Sequence, residues 1–107
     1  MTTKIESTIG IRTLTHSDGR RITVKLGLPV PEDDGTYRCS YEIEGLGPNR
    51  VKYALGADGI QALYLTLMKI GTDLYTSLEG RRREITWEGS ANLGFPVPES
   101  ISDLQPK

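Results

Sequence analysis

Few residues of this chain are of a type that can do chemistry, and their spacing limits what each could do. Cys39 is the only cysteine and His16 the only histidine among 107 residues. Alternation around Cys39 sets it inward between Tyr37 and Tyr41, the place of a buried structural thiol that behaves as a small hydrophobe. His16 stands beside a hairpin turn and is expected at the surface, with no link to Cys39. One histidine and one cysteine cannot supply a zinc-ligand set, and a lone cysteine forms no disulfide within the chain. No catalytic residue, cofactor site or metal site follows from these types.

The remaining polar groupings each have a structural explanation. Asp58 and Gln61 stand three apart at the start of a helical pattern, the spacing of a capping box that satisfies otherwise free amides. An acidic cap would repel the anion that a helix N-terminus attracts. Arg81, Arg82 and Arg83 follow the expected end of that helix, where cations meet the last carbonyls. They are also the candidate contact for an anion or an acidic partner. Glu32-Asp33-Asp34 lacks the alternating ligands and terminal glutamate of a calcium loop, so it reads as an acidic turn. Gly45-Leu46-Gly47-Pro48-Asn49 opens a strand, whereas a phosphate-cradling loop opens a helix.

Two sets of larger side chains are candidate binding surfaces. Five tyrosines stand against one phenylalanine, and Tyr37, Tyr41, Tyr53 and Tyr64 could place polar tips in a pocket between helix and sheet. Leu65 falls about 140° from the centre of the helix's apolar sector. With Met68 and Tyr75 on the neighbouring rim, it is a candidate partner surface.

The elements that must position these residues are read from hydrophobic period. Ile5, Ile9 and Ile11 alternate, as do Ile22, Val24, Leu26, Leu28 and Val30. Asp18-Gly19 between them favours a two-residue type I′ turn. That register pairs Ser17 with Arg20, Ile11 with Leu26, Thr13 with Val24 and Ile9 with Leu28. Tyr37, Cys39, Tyr41 and Ile43 form a third inward row, opposed by Arg38, Ser40, Glu42 and Glu44. Val51, Tyr53 and Leu55 form a fourth, with Lys52 on the other face. Asp58–Glu79 then reads as one helix that crosses the sheet, its apolar sector holding Ile60, Leu63, Tyr64, Leu67, Met68, Ile70, Leu74, Tyr75 and Leu78. Thr66, Lys69, Thr72, Asp73, Thr76 and Ser77 lie opposite. Gly71 lies inside that sector and is expected to bring the helix backbone close to the sheet. A short fifth strand is expected within Glu84–Glu88, with Phe95 and Pro96 pinning the last loop.

The fold class is therefore α+β: a four-stranded antiparallel meander with a polar outer face, packed on one long helix, with a short fifth strand after it. Residues 1–96 read as a single domain and 97–107 as a loosely ordered tail. Thirteen basic and fourteen acidic residues give a net charge of −1, with no long-range attraction for nucleic acid or an anionic membrane. No signal peptide or membrane-spanning run is evident, so a cytoplasmic location is expected.

The run Cys39-Ser40-Tyr41-Glu42-Ile43-Glu44-Gly45-Leu46-Gly47 resembles a motif of a family of small uncharacterised bacterial α+β proteins. Gly56-Ala57-Asp58-Gly59-Ile60-Gln61-Ala62-Leu63, Trp87 and Gly94-Phe95-Pro96 are similar to later motifs of that family, in the same order. The resemblance spans roughly Ile9 to Pro96; it implies the α+β fold and transfers no catalytic residue. Two functions remain. The favoured one is a non-enzymatic binding module, an adaptor, toxin-neutralising partner or self-associating protein, working through the helix rim or a sheet edge. The alternative is a small-molecule-binding protein or small enzyme with a tyrosine-lined pocket.

Overall fold

The computed structural model describes Ile5 and residues 7–106. Expectations for residues 1–4, Glu6 and Lys107 lie outside the described residues. The elements in chain order are β1 (Thr8–His16), β2 (Arg21–Gly27), β3 (Val30–Pro31), β4 (Tyr37–Glu44), β5 (Val51–Gly56), α1 (Gly59–Thr76), α2 (Leu78–Arg81), β6 (Ile85–Thr86) and a 3₁₀ helix, Glu99–Leu104. The architecture is α+β, an open antiparallel sheet of six strands with one main helix across it. The four long strands β1, β2, β4 and β5 form the meander. β5 takes one side of β4 along Tyr37–Glu42, so β3, paired to Tyr37 and Arg38, continues the β2 side. β6 is the fifth expected strand and lies antiparallel to the end of β1. Among the described residues, no helix is long and apolar enough to cross a membrane.

The first hairpin differs from expectation by one residue. His16 N–H donates to the Arg20 carbonyl at 2.9 Å, leaving Ser17, Asp18 and Gly19 as a three-residue loop. Gly19 takes φ +93°, the left-handed position that such loops require. Asp18 Oδ1 fixes the turn by accepting from Arg20 N–H at 3.0 Å. Leu14 therefore faces Ile22 and Arg12 faces Val24, in place of the expected Ile11–Leu26, Thr13–Val24 and Ile9–Leu28 pairs. A slip of one residue reverses every side chain of β1. Leu14 and His16 are buried, and Ile9 and Ile11 are exposed.

Strand β5 is also reversed. Ala54 and Gly56 face the helix, while Tyr53 and Leu55 are exposed on the outer face. The reason is the closeness of α1: a Cβ on Gly56 would lie 2.3 Å from the Ala62 nitrogen, so only small residues fit beneath it. The β4 row is as expected and the β2 row in part: Ile22, Val24, Cys39, Tyr41 and Ile43 are in the core, but β2 ends at Gly27, leaving Leu28 exposed and Val30 in β3.

Helix α1 is shorter than the expected Asp58–Glu79. Asp58 caps it, accepting from Gln61 N–H at 2.8 Å, and Gln61 Oε1 reaches back to Ala57 N–H at 2.6 Å. The helix stops at Ser77, whose extended backbone and Oγ, 3.0 Å from Gly80 N–H, begin α2. Its buried face is Ala62, Thr66, Ile70, Gly71, Leu74 and Tyr75. Thr66 was expected on the polar side but is fully buried, its hydroxyl donating to the Cys39 carbonyl at 3.0 Å. Ile60, Tyr64 and Leu78, expected inward, are exposed.

Gly71 marks a close approach, although to the C-terminal segment and not the sheet. A Cβ there would stand 2.2 Å from the Pro96 carbonyl oxygen and 3.3 Å from Phe95 Cβ. Residues 95–97 thus pack beside the helix, with Phe95 against Arg12 of β1 and next to Leu67. Residues 97–106 include a 3₁₀ helix, Glu99–Leu104, and hydrogen bonds that tie this segment to the loop before it. Gln105 Nε2 donates to the Phe95 carbonyl at 2.8 Å, Asn92 Nδ2 to Pro106 at 3.1 Å, and Leu104 packs on the core.

Candidate functional site

The two nucleophile types are both locked into the core. Cys39 is buried, and its thiol donates to the Gly27 carbonyl at 3.3 Å. Burial pushes the thiol above its ordinary range, against a smaller opposing effect of the Thr66 hydroxyl. His16, expected at the surface, is 8% exposed because β6 covers the end of β1. Its Nδ1 accepts from Asp18 N–H at 3.0 Å. Among the described residues, no three His, Cys, Asp or Glu side chains gather in a way that could hold a metal ion.

The four pocket tyrosines do not share one pocket. Tyr37 lines an apolar groove at the start of α1 with Ile9, Leu28, Ile60 and Leu63. Tyr53 borders the β5 edge, and Tyr64 is exposed on α1. Only Tyr41 reaches a polar cleft, of about 310 Å³, between the β4–β5 turn and the end of α1. Tyr41 is 1% exposed, and its phenol donates to Asp73 Oδ2 at 2.5 Å. Lys52 Nζ donates to the same oxygen at 3.2 Å. Burial first, and the adjoining carboxylate second, push the Tyr41 phenol far above its ordinary range. Such a phenol is a hydrogen-bond donor and no base. Arg50, Thr76, Ser77 and Glu79 complete the rim. Nothing in the sequence pairs Asp73 with Tyr41; only the inward turn of Thr66, Ile70 and Asp73 along one line of α1 brings them together.

The candidate partner surface is divided. Tyr75 is buried, its hydroxyl accepting from Leu93 N–H at 2.7 Å. Leu65 and Met68 are half-buried and line a groove of about 490 Å³ beside the β5 edge, with Tyr53, Leu55, Lys69 and Pro98. Pro98 reaches this groove without closing over Leu65. Lys69 Nζ donates to the Tyr53 carbonyl at 2.8 Å, so that carbonyl points away from β4. Backbone groups alternate along an antiparallel strand, so those of Val51 and Leu55 point the same way. Among the described residues, the edge thus presents the outward backbone groups of Val51 and Leu55 and the Tyr53 N–H beside an apolar trough, with the Tyr53 carbonyl held by Lys69.

The arginine run is exposed and spread over separate tasks. Arg81 Nε donates to the Thr76 carbonyl at 3.2 Å, and Arg82 N–H bonds the α2 carbonyls of Leu78 and Gly80. Arg83, at φ +58°, donates to the Leu104 carbonyl at 2.5 Å. The acidic turn is likewise structural: Asp34 Oδ1 accepts from Thr36 N–H at 2.9 Å, and Glu32 lies 3.4 Å from Arg38 Nε.

Sequence reasoning gave Arg12 no role, yet it anchors the closing loop. Its guanidinium stacks over Trp87 and Phe95, and Nη1 donates to the carbonyls of Leu93 and Gly94, both at 3.1 Å. Gly94 takes φ +79°, and a Cβ there would meet Trp87 at 2.5 Å.

Residues 10–97 match the family model described as "Domain of unknown function (DUF6968)", and the chain belongs to that family. No curated protein matches the chain. No solved structure matches it.

Proposed function

We propose that this member of the DUF6968 family is a non-enzymatic protein-interaction module that accepts an extended polypeptide segment along β5. The observation that carries the reading is the coincidence of the groove that holds Leu65 and Met68 with a strand that, among the described residues, pairs on one side only. A segment laid against β5 would gain main-chain hydrogen bonds from the edge. Its alternate side chains would point over the trough, where apolar contact selects among sequences. Exposed Tyr53 and Leu55 extend the same surface on the outer face. An adaptor, a toxin-neutralising protein or a self-associating one would each use such an edge. A bacterial source and a cytoplasmic setting fit the reading.

Selection of peptides from a random display library tests it. Enriched peptides with alternating apolar residues should shift the amide resonances of Val51, Tyr53 and Leu55 and the methyl resonances of Leu65 and Met68. Leu55→Pro should weaken their binding roughly tenfold or more, because proline removes an outward N–H. Ligands that bind equally well to Leu55→Pro, or that shift only other surfaces, would sink the reading.

The polar cleft favours a second reading, a site for a small polar molecule. Its volume of about 310 Å³ lies at the lower end of ligand pockets, and the Tyr41–Asp73–Lys52 cluster is its specific observation. A screen of small polar metabolites by thermal shift, with Asp73→Asn as the control, separates it from the first. Stabilisation lost in Asp73→Asn supports the cleft; no stabilisation by any compound removes it.

A further inference from the structure

We infer that the segment docked beside β5 is the β5 of a second copy of this chain, antiparallel and centred on Tyr53. The inference rests on the reading of β5 as a docking edge and adds the identity of its occupant. Pairing about a two-fold axis requires a segment complementary to itself. The outward backbone groups of β5 belong to Val51, Tyr53 and Leu55. A two-fold axis at Tyr53 lets the two Tyr53 residues exchange both hydrogen bonds, and lets Val51 exchange both with Leu55 of the other copy. A centre at Val51 or Leu55 leaves half of the six-residue strand unpaired.

The side chains agree with that register. Tyr53 stands opposite Tyr53 and Val51 opposite Leu55, which are aromatic and apolar cross-strand pairs. Lys52 stands opposite Ala54, so no like charges face each other within the ladder. Tyr53 and Leu55, 46% and 48% exposed in the single chain, both gain apolar neighbours. Lys69 occupies the Tyr53 carbonyl in the single chain and must release it, which makes Lys69 a guard of the kind that edge strands carry.

The other long edge suits this role less. β1 is free of β6 over most of its length, but its register is broken between Thr8 and Gly10. Bulges of that kind turn an edge away from pairing. β5 pairs without interruption from Val51 to Gly56.

Sedimentation velocity of the full chain over a range of concentrations tests the inference. The expected result is a species of twice the 11.8 kDa chain mass that dissociates on dilution. Tyr53→Lys puts two like charges face to face at the axis and should raise the dissociation constant roughly tenfold or more. Ile11→Lys, on the β1 edge, should leave it unchanged, and circular dichroism confirms that both variants fold. Tyr53→Cys should form a disulfide between copies on oxidation, since directly opposed residues of this kind lie about 5.5 Å apart at Cα. A dimer broken by Ile11→Lys and not by Tyr53→Lys would overturn the inference, as would failure of Tyr53→Cys to cross-link. A monomer at every concentration that still binds selected peptides at β5 would overturn the second copy and leave the docking edge standing. A chain that does neither would overturn both.

Discussion

The guanidinium of Arg12 lies 3.9 Å from the centre of the Trp87 ring, joining the sheet to the loop that packs beside the helix. The same group stacks on Phe95 and holds the carbonyls of Leu93 and Gly94. This explains why Trp87 and Gly94-Phe95-Pro96 act as one unit although they are apart in sequence.

Arg12→Ala should cost about 2–3 kcal/mol in urea unfolding, the sum of lost stacking and lost charge-assisted hydrogen bonds. Arg12→Lys should recover little of it, since an ammonium lacks the planar fork that stacks and bonds together. Trp87 fluorescence should report the loss. Full recovery by lysine would show that only the charge matters.

Gly71→Ala should destabilise the protein by about 2 kcal/mol through overpacking. In an open helix the same change would stabilise by about 1 kcal/mol. The Pro96 carbonyl, 2.2 Å from a Cβ at this position, decides the sign. A gain in urea midpoint would refute the contact with the C-terminal segment.

Tyr41→Phe should cost about 1–2 kcal/mol near neutral pH, because Asp73 loses a buried donor. The wild type should also lose stability at alkaline pH. An unfolded tyrosine ionises near pH 10, while burial and Asp73 hold the Tyr41 phenol protonated well beyond that. Below about pH 10 both states keep the proton, and the contribution is complete. As pH rises further, the unfolded chain releases its proton first, so stability falls. Urea midpoints measured from pH 8 to pH 11 should show a steeper alkaline loss in the wild type than in Tyr41→Phe; parallel curves would contradict this.

Cys39 should resist a water-soluble disulfide reagent in the native state and react promptly in urea. Its burial and its raised thiol both act against the thiolate that attacks. Rapid native labelling would place Cys39 at the surface.

What the sequence made legible follows from which forces leave a periodic trace. Ile22 and Val24 of β2, the β4 row and the Asp58–Gln61 cap were readable because burial and capping each impose a fixed spacing. β5 misled because close packing selects small residues: Ala54 and Gly56 look unimportant beside Tyr53 and Leu55, yet they face the helix. β1 misled through its loop, where a Gly19 one position later than a two-residue turn requires reversed the strand. Thr66 was assigned outward with the polar side of the helix and His16 by its place beside the turn, although each satisfies its hydrogen bond inside. The Tyr41–Asp73 pair and the Arg12 clamp join residues distant in the chain, and no local pattern encodes them. Leu65 was legible as an apolar residue without a partner, and the groove beside β5 gives it a setting.

Hydrogen exchange at the amides of Val51, Tyr53 and Leu55 tests the role of β5 most directly, measured at low and high protein concentration. Protection of these three amides should rise with concentration, while those of Lys52 and Ala54, which point toward β4, should stay constant. Concentration-independent exchange at all five, with no added protection from any selected peptide, would contradict β5 as a docking edge.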